Sequence, residues 1–378
     1  MKSINLLIKP ASSLCNLRCR YCFYEDEAQN RSQHSMGVMS EALADTLIER
    51  VLSEVDADGM VTFAFQGGEP TVAGLPFFRH FVHTVRQKKP AGVCVSFAIQ
   101  TNGTLLNDEW AEFLQQAHFL VGLSVDGFRS VHDAHRVDAA GSGTWQKVVA
   151  AKKLLEKHGV EHNALCVVTG QCAENPEKAY RNLKALGFRY IQFIACLDPI
   201  GHPHGQEAWS LTPERYGQFL CRIFPLWYQD WKSGNYCSVR LFEDFVHILL
   251  GDNASTCATC GKCGAYLVVE GDGSVYPCDF FVLDAWKIGN LQNMTVSQML
   301  QSQTVRDFLQ WGTAKPPECA ACSYGKICNG GCKNDWTPGD AAPHNYYCAA
   351  FRMLLDSALP QMREIADAER AARQNHFL

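Results

Sequence analysis

The sequence predicts an α/β protein: a partial (β/α)6 barrel followed by a cysteine-rich domain. Three observations predict it. Short apolar runs alternate with amphipathic helical stretches up to about residue 235, with no hairpin signal between them, which is the pattern of a parallel sheet covered by helices. Residues suited to chemistry follow the predicted strands one after another, as they do in parallel barrels. From Cys257 to Cys348 the composition changes and nine cysteines crowd together. The expected division is a barrel over 1–235, a cysteine-rich domain over 236–350 and a C-terminal helix over 351–378.

The bulk numbers exclude several classes. A chain of 378 residues with 47% hydrophobic and 19% charged residues is globular, not disordered. A net charge of −5 gives no reason to expect nucleic acid or an anionic membrane as partner. No apolar run approaches the ~20 residues that a membrane-spanning helix needs. Leu6-Leu7-Ile8 is stopped by Lys9 and Pro10, short of a signal sequence, so a cytoplasmic location is expected. Eighteen cysteines in a reducing compartment point to metal, not to disulfides. Six scattered ones (Cys94, Cys166, Cys172, Cys196, Cys221 and Cys237) read as small buried hydrophobes.

Taken in order, the first strand is Asn5–Lys9, and it leads into Cys15-Asn16-Leu17-Arg18-Cys19-Arg20-Tyr21-Cys22. The C-x3-C-x2-C spacing lets three thiolates converge on one point. A 4Fe–4S cube has four irons, so three sulfurs leave one iron open to an outside molecule. Structural zinc sites instead close with four ligands. The helix Ser40–Glu54 and the strand Val61–Phe65 come next, then Gln66-Gly67-Gly68-Glu69-Pro70. Its glycines let the backbone approach a ligand, and Glu69 offers a carboxylate to an ammonium group. The helix Pro76–Arg86 and strand Cys94–Ile99 lead to Gln100-Thr101-Asn102-Gly103. The helix Asp108–Gln116 and strand Leu120–Ser124 lead to Ser124-Val125-Asp126-Gly127. The helix Thr144–His158, strand Ala164–Val168, helix Glu177–Leu186 and strand Tyr190–Ile194 complete the set.

Beyond them, Pro199–Gly205 is a loop in which His202 and His204 lack a third metal ligand. Thr212 is an N-cap with Pro213 in the first turn of a helix whose aromatic stripe (Phe219, Phe224, Trp227, Tyr228, Trp231) belongs to the core. In the cysteine-rich end, Ala265–Glu270 and Ser274–Phe280 flank Gly271-Asp272-Gly273, a hairpin signal. The thiols at 257, 260, 263, 278, 319, 322, 328, 332 and 348 suit either zinc or further iron–sulfur clusters.

The cysteine loop with Tyr24, the Gly-Gly-Glu-Pro turn, the Thr-Asn-Gly turn and the Ser-Val-Asp-Gly turn together resemble the radical SAM enzymes. In that family the open iron chelates S-adenosylmethionine, whose cleavage yields a 5′-deoxyadenosyl radical. The resemblance implies that Cys15, Cys19 and Cys22 hold the cluster and that Tyr24, Gly68, Glu69, Ser124, Arg136 and Leu197 line the S-adenosylmethionine pocket. For Arg136 the plainer alternative is a solvated surface charge. The cysteine-rich end resembles a SPASM domain, which implies two auxiliary 4Fe–4S clusters and three clusters in all. Following the family order, Cys257, Cys263, Cys278 and Cys332 bind the first, and Cys319, Cys322, Cys328 and Cys348 the second. Cys260 is a surplus thiol that could replace a neighbour.

A narrower resemblance rests on Leu7-Ile8-Lys9-Pro10-Ala11-Ser12-Ser13, on Phe63-Ala64-Phe65-Gln66-Gly67-Gly68-Glu69-Pro70-Thr71 and on Tyr276-Pro277-Cys278-Asp279-Phe280-Phe281. These look like the anaerobic sulfatase-maturating enzymes, which oxidise a Cys or Ser of a sulfatase to Cα-formylglycine without oxygen. The resemblance implies hydrogen-atom abstraction from the target Cβ, deprotonation by Asp279 and electron transfer to an auxiliary cluster. Apolar Pro277, Phe280 and Phe281 are expected to desolvate Asp279. The implied partners are an unfolded or extended sulfatase segment, met by Asp279 and Gln66, and a low-potential electron donor such as flavodoxin or ferredoxin. Two other readings are another SPASM peptide maturase forming thioether or carbon–carbon crosslinks, and a non-enzymatic iron–sulfur or zinc protein. The first often carries a precursor-binding domain, for which no room is expected before Cys15. The second leaves the three-thiol loop and Glu69 without a role.

Overall fold

The computed structural model describes residues 1–337 and 344–375. All six predicted barrel strands form, each end within two residues of expectation: β1 (Ser3–Ile8), β2 (Met60–Phe65), β3 (Cys94–Thr101), β4 (Phe119–Ser124), β5 (His162–Val168) and β6 (Tyr190–Ala195). Four short strands follow: β7 (Ser238–Val239), β8 (Leu267–Val269), β9 (Ser274–Tyr276) and β10 (Gly289–Asn290). The strand order is open and does not close on itself, so the α/β class and the partial barrel are as expected.

The chain forms two compact units. The first comprises Met1–Val125, His132–Asn163 and Gly264–Gln310. Its strands run in the order β10-β9-β8-β1-β2-β3-β4, with β1 to β4 parallel. The register lines up Leu6, Phe63, Phe97 and Phe119 across four neighbours. In β2, alternate residues Val61, Phe63 and Phe65 are buried, and Phe65 meets Phe78 and Phe81 of the helix Leu75–Lys88 at 4.9 and 5.1 Å between ring centres. Edge-on packing of this kind adds to the area these rings bury. Helix starts are fixed by side chains: Ser40 accepts from Leu43 N (3.2 Å), and Asn107 from Trp110 N (2.9 Å).

The predicted hairpin forms as β8 and β9, but the sequence did not reveal its partner. β8 pairs in parallel with β1, Leu6 opposite Leu267, so a segment from beyond residue 235 covers what would otherwise be an open strand edge. Gly273 makes the turn at φ +83°. Gly271 is required by crowding, since a Cβ there would lie 2.2 Å from the Gly37 carbonyl.

The second unit comprises Asp126–Val131, Ala164–Cys263 and the described residues from Trp311 onward. Here β5, β6 and β7 are parallel neighbours, with helices Pro213–Lys232, Arg240–Leu250 and Cys348–Asn375. Thr212 caps the first of these as expected, accepting from Arg215 N at 3.3 Å. Of its aromatic stripe, Phe219, Phe224 and Trp227 are core. Tyr228 and Trp231 are only half-buried and stack on each other at 6.0 Å, because they lie on the flank of the helix. The last helix starts at Cys348, three residues before expectation, and residues 376–378 of the expected helix lie outside the described residues. Four of the six scattered cysteines are buried. Cys94 is exposed at the start of β3, and Cys221 is half-exposed beside Ser357, so these two are not core residues.

Candidate active site

The first unit gathers the first three predicted cysteines and most of the predicted S-adenosylmethionine pocket after the C-terminal ends of β1 to β4. The cysteine loop after β1 is tied by its own backbone and by residues 135–138: Arg18 N donates to Val137 O (2.7 Å) and Arg20 N to His135 O (3.0 Å). Cys15 and Cys22 lie close enough to feel each other's charge, and all three thiols are half-exposed. Burial pushes the Cys15 thiol up to about 11 and the Cys22 thiol up as well. Thiolates therefore persist here when a metal's positive charge is present to favour them.

The Gly-Gly-Glu-Pro turn after β2 locks onto this loop. Gly68 N donates to Ser12 O and Glu69 N to Leu14 O, both at 2.8 Å. A Cβ at Gly68 would stand 2.3 Å from the Leu14 carbonyl oxygen. Gly68→Ala is expected to cost about 1–3 kcal/mol, as overpacking does, and to lower the iron bound by the first cysteine loop. Thermal denaturation and iron content measure the two effects.

Glu69 is fully buried, and its oxygens take bonds from Thr71 Oγ1 (2.6 Å), Thr71 N (3.1 Å), Thr101 Oγ1 (2.7 Å) and Asn102 N (2.8 Å). Burial raises its carboxyl against the pull of these donors. Glu69 thus clamps the turn after β2 to the turn after β3. Asn102 continues the chain of contacts, donating to Asn16 Oδ1 at 2.9 Å within the cysteine loop. Arg136 is buried with its guanidinium 5.5 Å from the Tyr21 ring centre, and it acts on Cys22. The surface-charge alternative for Arg136 is therefore wrong, because residues 135–138 are drawn onto the cysteine loop. Ser124 closes β4, and Leu197 lies in the second unit, two residues past β6.

Asp279 is buried, as expected. Phe280 packs on Phe23, and Phe281 on Trp286 and Phe308. The bonding partners of Asp279, which the sequence did not reveal, are polar. Tyr24 donates its hydroxyl to Asp279 Oδ2 at 2.7 Å and Gln66 Nε2 donates to the same oxygen at 3.0 Å, while Tyr24 and Gln66 also bond each other. The Tyr24 hydroxyl, placed by sequence in the S-adenosylmethionine pocket, is therefore committed to Asp279. Burial and the Asp279 charge hold its pKa well above that of an ordinary tyrosine.

Behind Asp279 lies an ionic network that sequence reasoning missed. Lys9 Nζ stands 2.8 Å from Glu27 Oε2, 3.4 Å from Asp279 Oδ1 and 3.9 Å from Glu270 Oε1, and Arg31 bonds Glu270 Oε1 at 2.7 Å. All five residues are at most 8% exposed. The signal available was weak: Lys9 and Glu270 are charges set directly at the ends of apolar strands β1 and β8. Gly67 makes room for the lysine stem, since a Cβ there would meet Lys9 Cβ and Cγ at 3.0 Å. Burial opposes the Lys9 ammonium, but the three carboxylates outweigh it and hold its pKa well above normal. Two cations against three carboxylates leave one negative charge in excess, and burial pushes the Glu27 carboxyl up to about 7.

A consequence follows for stability. Between 4.5 and about 7 the unfolded chain releases the Glu27 proton before the folded one does, so this contribution to stability is present at low pH and lost as pH rises through 7. Glu27→Gln is expected to flatten the decline in melting temperature across that window, measured anaerobically by thermal scans.

In the second unit, Cys319, Cys322, Cys328 and Cys348 line one cavity of about 70 Å³ together with Tyr324, His344 and Arg352. Among the described residues, no three His, Cys, Asp or Glu side chains stand close enough to hold a single metal ion. The four thiols instead border a common space, which fits a cluster ligated from its corners. Cys257, Cys263 and Cys332 also lie in this unit. Cys260 turns its thiol onto the Ala254 carbonyl at 3.5 Å. Cys278 is in the first unit, buried, 3.7 Å from the Tyr266 hydroxyl.

With this geometry in place, the comparisons with known proteins are specific. Residues 10–184 match the radical SAM superfamily, and residues 257–323 match the SPASM iron–sulfur cluster-binding domain. The cysteine-type anaerobic sulfatase-maturating enzyme of Clostridium perfringens (strain 13) is 41% identical over 97% of this chain and 99% of its own. The chain belongs to the anaerobic sulfatase-maturating enzymes. It is therefore a radical SAM enzyme, a family that implies iron–sulfur clusters and S-adenosylmethionine. The serine-type enzyme of Bacteroides thetaiotaomicron is 32% identical, with 96% of this chain and 91% of that one covered. Native anSMEcpe, solved with bound AdoMet and Kp18Cys peptide, superposes with a TM-score of 0.92 at 39% identity, over 97% of this chain and 99% of that chain. Streptococcus suis SuiB bound to precursor peptide SuiA shares the fold alone, at a TM-score of 0.61 and 16% identity over 88% of this chain and 72% of that one. Among the described residues, no helix is long and apolar enough to cross a membrane.

Proposed function

We propose that this enzyme converts a cysteine of a sulfatase segment to Cα-formylglycine, with Asp279 as the base. The observation that carries the reading is the Asp279 carboxylate, buried and held through Oδ2 by Tyr24 and Gln66 in the same unit as the three-thiol loop. Cysteine is preferred as target because identity is higher to the cysteine-type relative (41%) than to the serine-type one (32%).

Cys15, Cys19 and Cys22 hold the first cluster, and Gly68, Glu69, Ser124, Arg136, Leu197 and the Tyr24 backbone frame the S-adenosylmethionine pocket. Bound there, cluster and S-adenosylmethionine supply the 5′-deoxyadenosyl radical that takes a hydrogen atom from the target Cβ. Asp279 then accepts the thiol proton. The deprotonated carbon radical is a strong reductant, and loss of one electron leaves a thioaldehyde that water converts to the aldehyde and hydrogen sulfide. One oxidising equivalent is thus taken as a hydrogen atom and one as an electron. The proposed electron acceptor is a first auxiliary cluster on Cys257, Cys263, Cys278 and Cys332. Cys319, Cys322, Cys328 and Cys348 hold a second, giving three clusters. A low-potential donor such as flavodoxin or ferredoxin reduces the protein in the cytoplasm. The proposed division remains a barrel over 1–235, a cluster domain over 236–350 and a helix beyond.

The test is anaerobic incubation of the reconstituted enzyme with S-adenosylmethionine, dithionite and paired sulfatase-derived peptides carrying Cys or Ser at the target position. Mass spectrometry is expected to show aldehyde from the Cys peptide. S-adenosylmethionine cleavage with both peptides unchanged would assign the chain a different substrate.

A further inference from the structure

The helix Phe23–Gln29 starts immediately after Cys22 and reaches the Asp279 turn by three routes. Tyr24 bonds Asp279 Oδ2 at 2.7 Å. Glu27 Oε1 accepts from Val282 N at 2.9 Å, at the end of the short helical turn Asp279–Phe281. Glu27 Oε2 holds Lys9, whose ammonium stands 3.4 Å from Asp279 Oδ1. That oxygen has no hydrogen bond of its own, whereas Oδ2 has two. A carboxylate rotates easily about its last torsion. Two donors on one oxygen fix where that oxygen sits, and the cation on the other side fixes the plane. Lys9 itself cannot wander. Its backbone N–H bonds Val269 O at 2.8 Å, its stem lies against Gly67, and its ammonium is 4.8 Å from the Tyr24 ring centre.

We propose that Lys9 and Glu27 are positioning residues of the maturation reaction, which register the Asp279 carboxylate against the cysteine loop. The proposal rests on Asp279 being the base. Neither residue touches the reacting atoms. They act by holding the base in place for a short-lived substrate radical, and a displacement near 1 Å at such a site costs about a hundredfold in rate. A buried pair whose only service is structural would give the same stability as a matched neutral pair and would leave coupling unchanged.

The discriminating variant is Lys9→Met/Glu27→Gln, which removes both charges together and leaves Arg31 to balance Glu270. The readout is the ratio of formylglycine to 5′-deoxyadenosine with the Cys peptide, alongside kcat and KM, iron content and melting temperature. The double variant is expected to load iron and bind peptide with KM within about threefold of the parent while kcat for aldehyde falls ten- to a hundredfold. 5′-Deoxyadenosine should continue to form, so the ratio falls with kcat. If the double variant loads iron poorly, Glu27→Gln alone is read, since it keeps Lys9 between Asp279 and Glu270 and its amide oxygen can still accept from Val282 N. A normal ratio in the variant that is read overturns the proposal. Asp279→Asn is run in parallel: normal aldehyde from it removes the base reading itself, whereas loss there with normal coupling in the Lys9 and Glu27 variants removes only this inference.

Discussion

Replacing Cys15, Cys19 or Cys22 by alanine is expected to reduce 5′-deoxyadenosine formation to background. In the proposed ligation the loop supplies three sulfurs for a cube of four irons, so each variant leaves two, and two corners of the cube would then lack a protein ligand. The loop is otherwise well held, by Arg18 and Arg20 on the backbone of Val137 and His135 and by the turn at Gly68 and Glu69. The loss should therefore appear as missing iron and not as unfolding. Cys260→Ala is the internal comparison. Its thiol is turned onto the Ala254 carbonyl, and that variant is expected to keep its iron and its S-adenosylmethionine cleavage. Anaerobic iron and sulfide analysis with chromatographic measurement of 5′-deoxyadenosine reads both.

Asp279→Ala is expected to separate the two halves of the reaction. In the proposed reaction radical generation rests on Cys15, Cys19 and Cys22, and Asp279 acts after it, so S-adenosylmethionine cleavage is expected to persist. Aldehyde formation should fall by about 10²–10⁴, the range over which a positioned base contributes. Tyr24 and Gln66 lose their acceptor in this variant and turn toward each other, as they already do in part. Asp279→Asn keeps an acceptor oxygen for them, so a similar loss there assigns the effect to the missing base and not to a collapsed pocket. Mass spectrometry of the peptide beside 5′-deoxyadenosine gives the ratio directly.

Much of this was legible in the sequence because the strongest signals are local. Strand–helix alternation locates β1 to β6, and each reactive turn announces itself by glycine next to a polar residue at a strand end. The Cys15–Cys22 spacing states its chemistry without reference to the fold. What stayed hidden depends on residues far apart in sequence. The pairing of β8 with β1 joins positions 267 and 6, and neither strand carries a mark of the other. The same pairing sets Lys9 beside Glu270, while the helix after Cys22 adds Glu27 and the bend beyond it adds Arg31, so the ionic floor beneath Asp279 is a product of tertiary structure. The surroundings of Asp279 were only partly legible. Its neighbours in sequence are apolar, but the carboxylate is held by Tyr24, Gln66 and Lys9, which come from distant parts of the chain. Arg136 shows the reverse case: nothing in its sequence context separates a surface arginine from one buried against Tyr21.

The most direct test of the central claim uses a sulfatase-derived peptide whose target cysteine carries deuterium at both Cβ positions. Incubated anaerobically with the enzyme, S-adenosylmethionine and reductant, it is expected to deliver deuterium into 5′-deoxyadenosine in proportion to the formylglycine formed. 5′-Deoxyadenosine free of deuterium, with or without a change in the peptide, would contradict hydrogen abstraction from Cβ and with it the proposed reaction.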